Sequence, residues 1–475
     1  MKALHTNKTL RNVAAGTAVL LGVTGLAACG GGTGLNGSSG GNASSGGNSS
    51  SGGTSSSGGS SSGGGSGGKS SGGTVNITVW NQATGTQVPA LNAMVSAFNS
   101  SQSKVHVTNQ LIPAVGTSET AFTSKVATAV SSGSGPNVVF ADTEPFFVPQ
   151  LINTGKVVPL NSYMAQKTNG MPAKDFIPAM LLTGEVNGKV YSVPSDGGDY
   201  AIFYNKKLFK QAGITSTPKT WAQLEVDAKK LTHGGTYGFY VPWGQEEWTV
   251  WTYESMLWSN GGIFLNKSNT KAEFASPKGV AALQVWLNML KNKTAYPSNL
   301  ADSQQSSGYP GFQDGKIAMY IDGSYDIPTN DKALGSSNVG VFAFPAMTQH
   351  AMNTGTDNTL MFKGTPAQEK ASWDFIQYTL RPSVQAKYDV TTGFLPTTIP
   401  TAKDPTYKAE LNKDPRLKVF TAELNYAHTR PSIAKYEQIS VDLGIQLESA
   451  FLGKESAQQA LTKAQDQANT ILAKK

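Results

Sequence analysis

The chain has 475 residues, 38 Lys and Arg against 31 Asp and Glu, a formal charge of +7 and a single cysteine. That length allows a large core and roughly two or three domains. One cysteine excludes an internal disulfide, a thiolate metal centre and CxxC redox chemistry. Four of the basic residues and no acidic ones precede residue 75, leaving 34 against 31, or +3, for the remainder. So nearly neutral a body argues against a nucleic-acid surface and supplies no separate electrostatic membrane anchor.

The first 28 residues read as a targeting segment: Lys2, Lys8 and Arg11 are positive, 13–26 is apolar, and Leu26-Ala27-Ala28-Cys29 ends in small residues. The apolar run is shorter than the roughly 20 residues of a membrane span. The ending resembles a bacterial lipobox, whose cysteine receives a diacylglycerol and becomes the new N-terminus; an incidental cysteine in a plain signal peptide is the alternative. Residues 29–74, almost wholly Gly, Ser, Asn and Thr after Cys29, cannot bury enough apolar surface to order themselves. They form a flexible tether of roughly 35 Å r.m.s. length.

From 75 the pattern is β-α-β-α-β: alternating β-formers at 75–80, helical spacing of Leu91, Met94, Val95 and Phe98, a strand at 105–111, a helix face of Phe122, Val126, Ala129 and Val130, and a strand at 137–141. Such an alternation predicts a mostly parallel sheet with ligands beyond the strand ends. Trp80-Asn81 follows the first strand and Asp142-Thr143-Glu144 the third, an aromatic and two carboxylates where a sugar would stack and donate. A core indole and helix caps are the plainer explanation for each.

Residues 187–213 read as a hinge. Asn187-Gly188 signals a tight turn, 189–193 a short strand stopped by Pro194, and Gly197-Gly198 a freed backbone beside Asp199 and Tyr200. Thr220 and Gln223 then open a helix. Trp243, Trp248, Trp251, Tyr253 and Trp258 cluster among Gln245, Glu246, Glu247 and Glu254; Trp258 is expected in the core, Trp248 and Trp251 at a ligand. Ser276-Pro277 starts a helix with Val280, Leu283, Leu287 and Leu290 inward. Asp322-Gly323-Ser324-Tyr325 ends a strand, 339–344 forms another, and Asp357-Asn358 precedes an apolar run crossing back to the first lobe. Thr365 with Gln368 caps a helix, 393–396 marks a last crossing, and Ser456 with Gln459 caps a final helix whose buried face is Ala457, Ala460, Leu461, Ala464, Ala468 and Ile471.

Taken in order, Asn187-Gly188-Lys189-Val190-Tyr191 with Pro194, Tyr204-Asn205-Lys206 with Leu208-Phe209 and Ala212-Gly213, Pro218 with Thr220-Trp221, 315–319 followed by Gly323, and Gly393 with Pro396 resemble the extracellular solute-binding proteins of ABC importers, in the carbohydrate-binding group that includes maltose-binding protein. The resemblance implies an α/β, two-lobe periplasmic-binding-protein-like fold, each lobe a mostly parallel sheet flanked by helices. The expected lobes are 75–195 with 355–395, and 201–350 with 396–475. It implies ligand contacts at Trp80, Asn81, Asp142, Glu144, Asp199, Tyr200, Trp248, Trp251, Gly323, Tyr325, Asp357, Asn358 and, from a looser match that includes Tyr436, Arg430. No cofactor or metal is implied, and the expected chain is a monomer, lipid-anchored outside the cell, delivering a mono- or oligosaccharide to a permease.

A glycerol-phosphate receptor of the same family is the alternative, because the segment from Arg430 onward also resembles that branch; the acidic rim with one arginine favours a neutral sugar. A secreted glycoside hydrolase would use the same residue types, but needs two carboxylates about 5 to 9.5 Å apart across one bond. No GxSxG, HExxH or phosphate loop occurs in the folded part.

Overall fold

The computed structural model describes residues 73–113, 119–140, 144–168, 170–244, 247–298 and 307–474. The leader, Cys29, almost all of the tether and Asp142 lie outside the described residues.

Strand β1 (Val75–Asn81) is followed by the helix Gln87–Ser101, which buries Leu91, Met94, Val95 and Phe98 on one face. β2 (Val105–Leu111) and β3 (Val138–Val139) lie parallel to β1 on either side, giving the expected βαβαβ unit. β3 is shorter than the expected 137–141: at its start Asn137 Oδ1 takes the Thr78 N–H at 2.9 Å, and residue 141 lies outside the described residues. β4 (Glu185–Val186) and β5 (Lys189–Val190) make a hairpin in which Asn187 and Gly188 have φ of 51° and 74°. Two left-handed residues are what its two-residue turn requires.

β6 (Ser192–Gly198) departs from expectation by running through Pro194. It is an edge strand with a bulge opposite Asp357 and Asn358, where a missing N–H breaks little of the ladder. Gly197 is also not a freed backbone. It exchanges hydrogen bonds of 3.0 and 2.8 Å with Leu395, and a Cβ there would fall 2.4 Å from Met180 Cε. Glycine serves close approach at this point rather than mobility.

Asp199 alone separates β6 from β7 (Tyr200–Asn205), which enters a second sheet between β8 (Met319–Gly323) and β9 (Val339–Phe342). After β10 (Met352–Asn353), β11 (Gly355–Met361) returns to the first sheet, whose order is β2-β1-β3-β11-β6; β12 (Ala427–His428) pairs with β10. The expected parallel character therefore holds in the first sheet only for β2-β1-β3, and outside it for the short β10-β12 pair. β11 runs antiparallel to β3 and β6, and β7, which enters directly from the first crossing, runs antiparallel to both β8 and β9. Among the described residues, parallel pairing in the second lobe comprises the short β10-β12 pair and bridges such as Tyr237 with Ile317 and Phe239 with Ala295.

Each sheet has its own apolar core, around Ile77, Leu91, Phe140 and Phe375 in the first lobe and around Phe203, Trp221, Trp286 and Tyr320 in the second. The helices Ile399–Ala402 and Pro405–Lys413, expected in the second lobe, pack with the helix Pro382–Thr392, which lies on Gln87–Ser101. The chain joins the second core only at the helix Leu417–Glu423, with Phe420 6.0 Å from Phe203 between ring centroids. Thr220, Ser276, Thr365 and Ser456 all cap their helices, the last two as complete capping boxes. The helix Pro277–Lys291 is rotated from expectation: Leu283 is buried with Trp286 and Met289, while Val280, Leu287 and Leu290 are half-buried.

Gly393 ends the helix Pro382–Thr392 at φ 85°, and a Cβ on it would sit 2.8 Å from Tyr325 Cα. Left-handed strain and a backbone clash coincide, so Gly393→Ala is expected to cost about 2 kcal/mol or more, read as a lower urea midpoint. An unchanged midpoint would contradict this packing.

Candidate functional site

Three crossing segments meet between the lobes. Thr354 Oγ1 donates to Gly198 O at 2.9 Å, Gly197 pairs with Leu395, and Ser324 Oγ donates to Gly393 O at 2.6 Å. Behind them Thr183 Oγ1 lies 2.7 Å from Thr356 Oγ1 and donates to Asn358 Oδ1 at 3.1 Å. These hydroxyl and amide groups of the crossings thus satisfy one another, as buried polar groups require.

The helix Glu247–Ser259 passes this junction and places Glu247, Trp251 and Glu254 on one face by their i, i+4, i+7 spacing. Arg430, 3 % exposed, reaches the same face. Its Nη1 donates to Glu247 Oε1 at 3.1 Å and its Nη2 to Glu144 Oε2, while its guanidinium carbon stands 5.4 Å from the ring centroids of both Phe146 and Trp251. Burial opposes the Arg430 charge, but Glu144 and Glu247 outweigh it and hold the guanidinium protonated. Burial also raises the Glu144 carboxyl, against the Arg430 attraction.

The network continues through Tyr436, whose hydroxyl lies 2.9 Å from Glu247 Oε1 and 3.0 Å from Glu254 Oε1. A phenol has one proton, so one contact takes its proton from a carboxyl. Glu254 supplies it: fully buried, it is held well above the usual carboxylate range by burial and then by the Glu247 charge. Asn353 Nδ2 donates to its other oxygen at 2.6 Å. First-lobe Gln150 adds a 3.1 Å hydrogen bond to Glu437, so the lobes touch along this whole seam.

The expected site residues divide into groups. Glu144, Trp251 and Arg430 converge, with Trp248 5.0 Å from Trp251 and Tyr200 4.7 Å from it, edge to face. Tyr200 is itself fully buried, its hydroxyl donating to Trp251 O at 3.0 Å. Asp199, Gly323 and Tyr325 form a neighbouring set, since β7 pairs Tyr200 with Gly323 and Tyr325 follows. A Cβ on Gly323 would fall 2.3 Å from the Tyr325 ring, so glycine admits that ring. Asp357 lies opposite Asp196 where β11 meets β6, and Asn358 is buried in the threonine network.

Trp80 and Asn81 are placed elsewhere. Trp80 packs in the first lobe's core with its Nε1 donating to Gln110 Oε1 at 2.9 Å; Asn81 donates to Asn109 Oδ1 at 2.8 Å and accepts from Ala83 N at 3.1 Å. Residues outside the expected ligand contacts also join the site: Phe146, Glu247, Glu254, Ser440 and Tyr436. The acids among the tryptophans and the looser resemblance around Tyr436 were the signals for them; Phe146 and Ser440 gave none. A cavity of about 790 Å³ beside Arg430 is lined by Asn153, Glu185, Ile263, Asn266 and His428 from both lobes. Its one tryptophan, Trp258, is stacked under His428 at 4.9 Å, so it offers no open indole face.

A model of the bacterial extracellular solute-binding protein family matches residues 93–419. The chain belongs to that family. Among solved structures, the solute-binding protein is similar to the cyclic alpha-maltosyl-1,6-maltose binding protein of Arthrobacter globiformis, with a TM-score of 0.74 and 26 % identity over 84 % of this chain and 99 % of that one. A binding protein of Brucella abortus is 29 % identical over 354 residues, 74 % of this chain and 83 % of its own length. The sn-glycerol-3-phosphate-binding periplasmic protein UgpB of Pectobacterium atrosepticum is 23 % identical over 418 residues, 84 % of this chain and 91 % of its own. No helix among the described residues of the solute-binding protein is long and apolar enough to cross a membrane.

Behind Asp199 stands Glu423, 4 % exposed, pushed by burial up to about 7 against the help of the Phe344 N–H. Unfolded, the same carboxyl titrates near 4.5. Between those values the unfolded chain has released a proton that the folded one keeps, so stability falls as pH rises through the window. Glu423→Gln is expected to flatten that fall and to gain up to about 3 kcal/mol over the parent at pH 8, with little change at pH 4, in urea titrations. Parallel pH profiles for the two proteins would contradict this.

Proposed function

We propose that this solute-binding protein is held at the outer face of a bacterial membrane by a lipid on Cys29, captures a mono- or oligosaccharide between its lobes as a monomer, and delivers it to an ABC-transporter permease without chemistry of its own. The observation that carries the reading is the Trp248–Trp251 pair beside an arginine already consumed by two carboxylates. Indole faces match the apolar side of a sugar ring, and carboxylates accept its hydroxyl protons. Capture is a shift toward the closed arrangement, driven by contacts that only that arrangement offers. The Arthrobacter protein, which binds a maltosyl-maltose, supports the same ligand class.

The glycerol-phosphate reading draws on the Pectobacterium relative. It would require Arg430 to leave Glu144 or Glu247 for a phosphate, leaving a partly buried carboxylate unpaired. A hydrolase needs one carboxyl free as acid and another as base or nucleophile, whereas Glu144 and Glu247 are tied to one guanidinium.

In calorimetric titrations against a saccharide panel and sn-glycerol 3-phosphate, a saccharide is expected to bind, and Trp251→Ala to weaken it at least tenfold, about 1.4 kcal/mol. Binding of the phosphate with no saccharide response, or affinity unchanged in Trp251→Ala, would contradict the proposal.

A further inference from the structure

The junction has a second pole, and it is acidic. Asp199, the one residue between β6 and β7, is fully buried, and neither of its carboxylate oxygens is hydrogen-bonded to another described residue. The pairing of Tyr200 with Gly323 sets Asp199 beside Ser324 and Tyr325, and the pairing of Gly198 with Gly355 brings Asp357 alongside. Tyr325 is half-buried, with its ring 5.5 Å from that of Phe394. The charges that act most strongly on Tyr325 are all negative: Asp322, Asp326, Asp357 and Asp199. The charge acting on Asp199 is that of Glu423, and Asp199 acts in turn on Tyr200 and Tyr407.

Among the described residues, no lysine or arginine is one of the charges acting on Asp199 or Tyr325. Arg430 is engaged by Glu144 and Glu247 on the tryptophan side. The internal stretches outside the described residues, 114–118, 141–143, 169, 245–246 and 299–306, contain Asp142, Glu246 and Asp302 but no lysine or arginine. A neutral sugar needs one or two carboxylate acceptors. Of the four acidic groups that act on Tyr325, Asp199 is buried with neither oxygen hydrogen-bonded to another residue, so a positive charge placed against it would meet an acceptor that nothing else uses.

Resting on the saccharide reading above, we propose that the captured ligand carries a protonated amine, as an amino sugar with a free amino group does, its ammonium on Asp199 and the adjoining ring on Tyr325. An ammonium there makes charge-assisted hydrogen bonds to a carboxylate that has no other partner and gains from the aromatic face beside it. Burial favours the neutral Asp199 carboxyl, and a cation in contact reverses that preference. The tryptophan pair takes the remainder of the saccharide, so one cleft holds an apolar stacking end and an anionic end.

The test titrates the full chain at fixed ionic strength with three matched series: chitosan oligosaccharides, their N-acetylated counterparts and malto-oligosaccharides. The free-amine series is expected to bind at least tenfold more tightly than either neutral series. Asp199→Asn should lose most of that preference, and Tyr325→Leu should reduce it independently should the first variant fold poorly. Equal or tighter binding of the neutral series, or a preference intact in both variants, overturns the amine assignment while leaving saccharide capture standing. Binding of no saccharide in any series overturns both.

Discussion

A guanidinium with 3 % exposure cannot stand without counter-charges, and the arrangement between the lobes follows from how Arg430 obtains them. One carboxylate comes from the first lobe, Glu144, and the other from the helix Glu247–Ser259 of the second. The same contact sets the Trp251 indole and the Phe146 ring against the cation, and Tyr436 extends it to a protonated Glu254. Removing the cation would leave two partly buried carboxylates unpaired in the seam, so the lobes, the indole and the buried acid depend on one another.

The crossings and the site are joined by a few shared residues. Tyr200 opens β7, packs edge to face on Trp251, and lies within the fields of both Arg430 and Asp199. It stands between a charge-balanced pole and an acidic one. A hinge built from short strand pairs, with hydroxyl-to-carbonyl bonds such as Thr354 to Gly198 and Ser324 to Gly393, can change a few backbone angles while each lobe keeps its core. Ligand contacts spanning the two poles would then be gained only on closure.

What the sequence revealed was local. The Asn187-Gly188 turn, the four capped helices and the face of the last helix depend on neighbours within a turn or two, and all were legible. Pro194 misled because only the sheet order shows β6 to be an edge, and Gly197 because its reason is Met180 and Leu395 on other segments. Trp80 and Asn81 lie at a strand end as expected, yet Gln110 and Asn109 on β2 absorb their polar atoms. The Arg430–Glu247 pair spans 183 residues, and no spacing rule connects such partners. Arg430 itself was legible by resemblance; its neutralised state was not.

The dependence of the seam on this one cation is tested most directly by a double-mutant cycle in unfolding free energy between Glu144→Gln and Arg430→Met at neutral pH. A coupling above about 1.5 kcal/mol is the expected result for a buried charge pair joining the lobes. Additivity within about 0.5 kcal/mol would mean that the two side chains do not share the work of holding the lobes together, and would contradict the account.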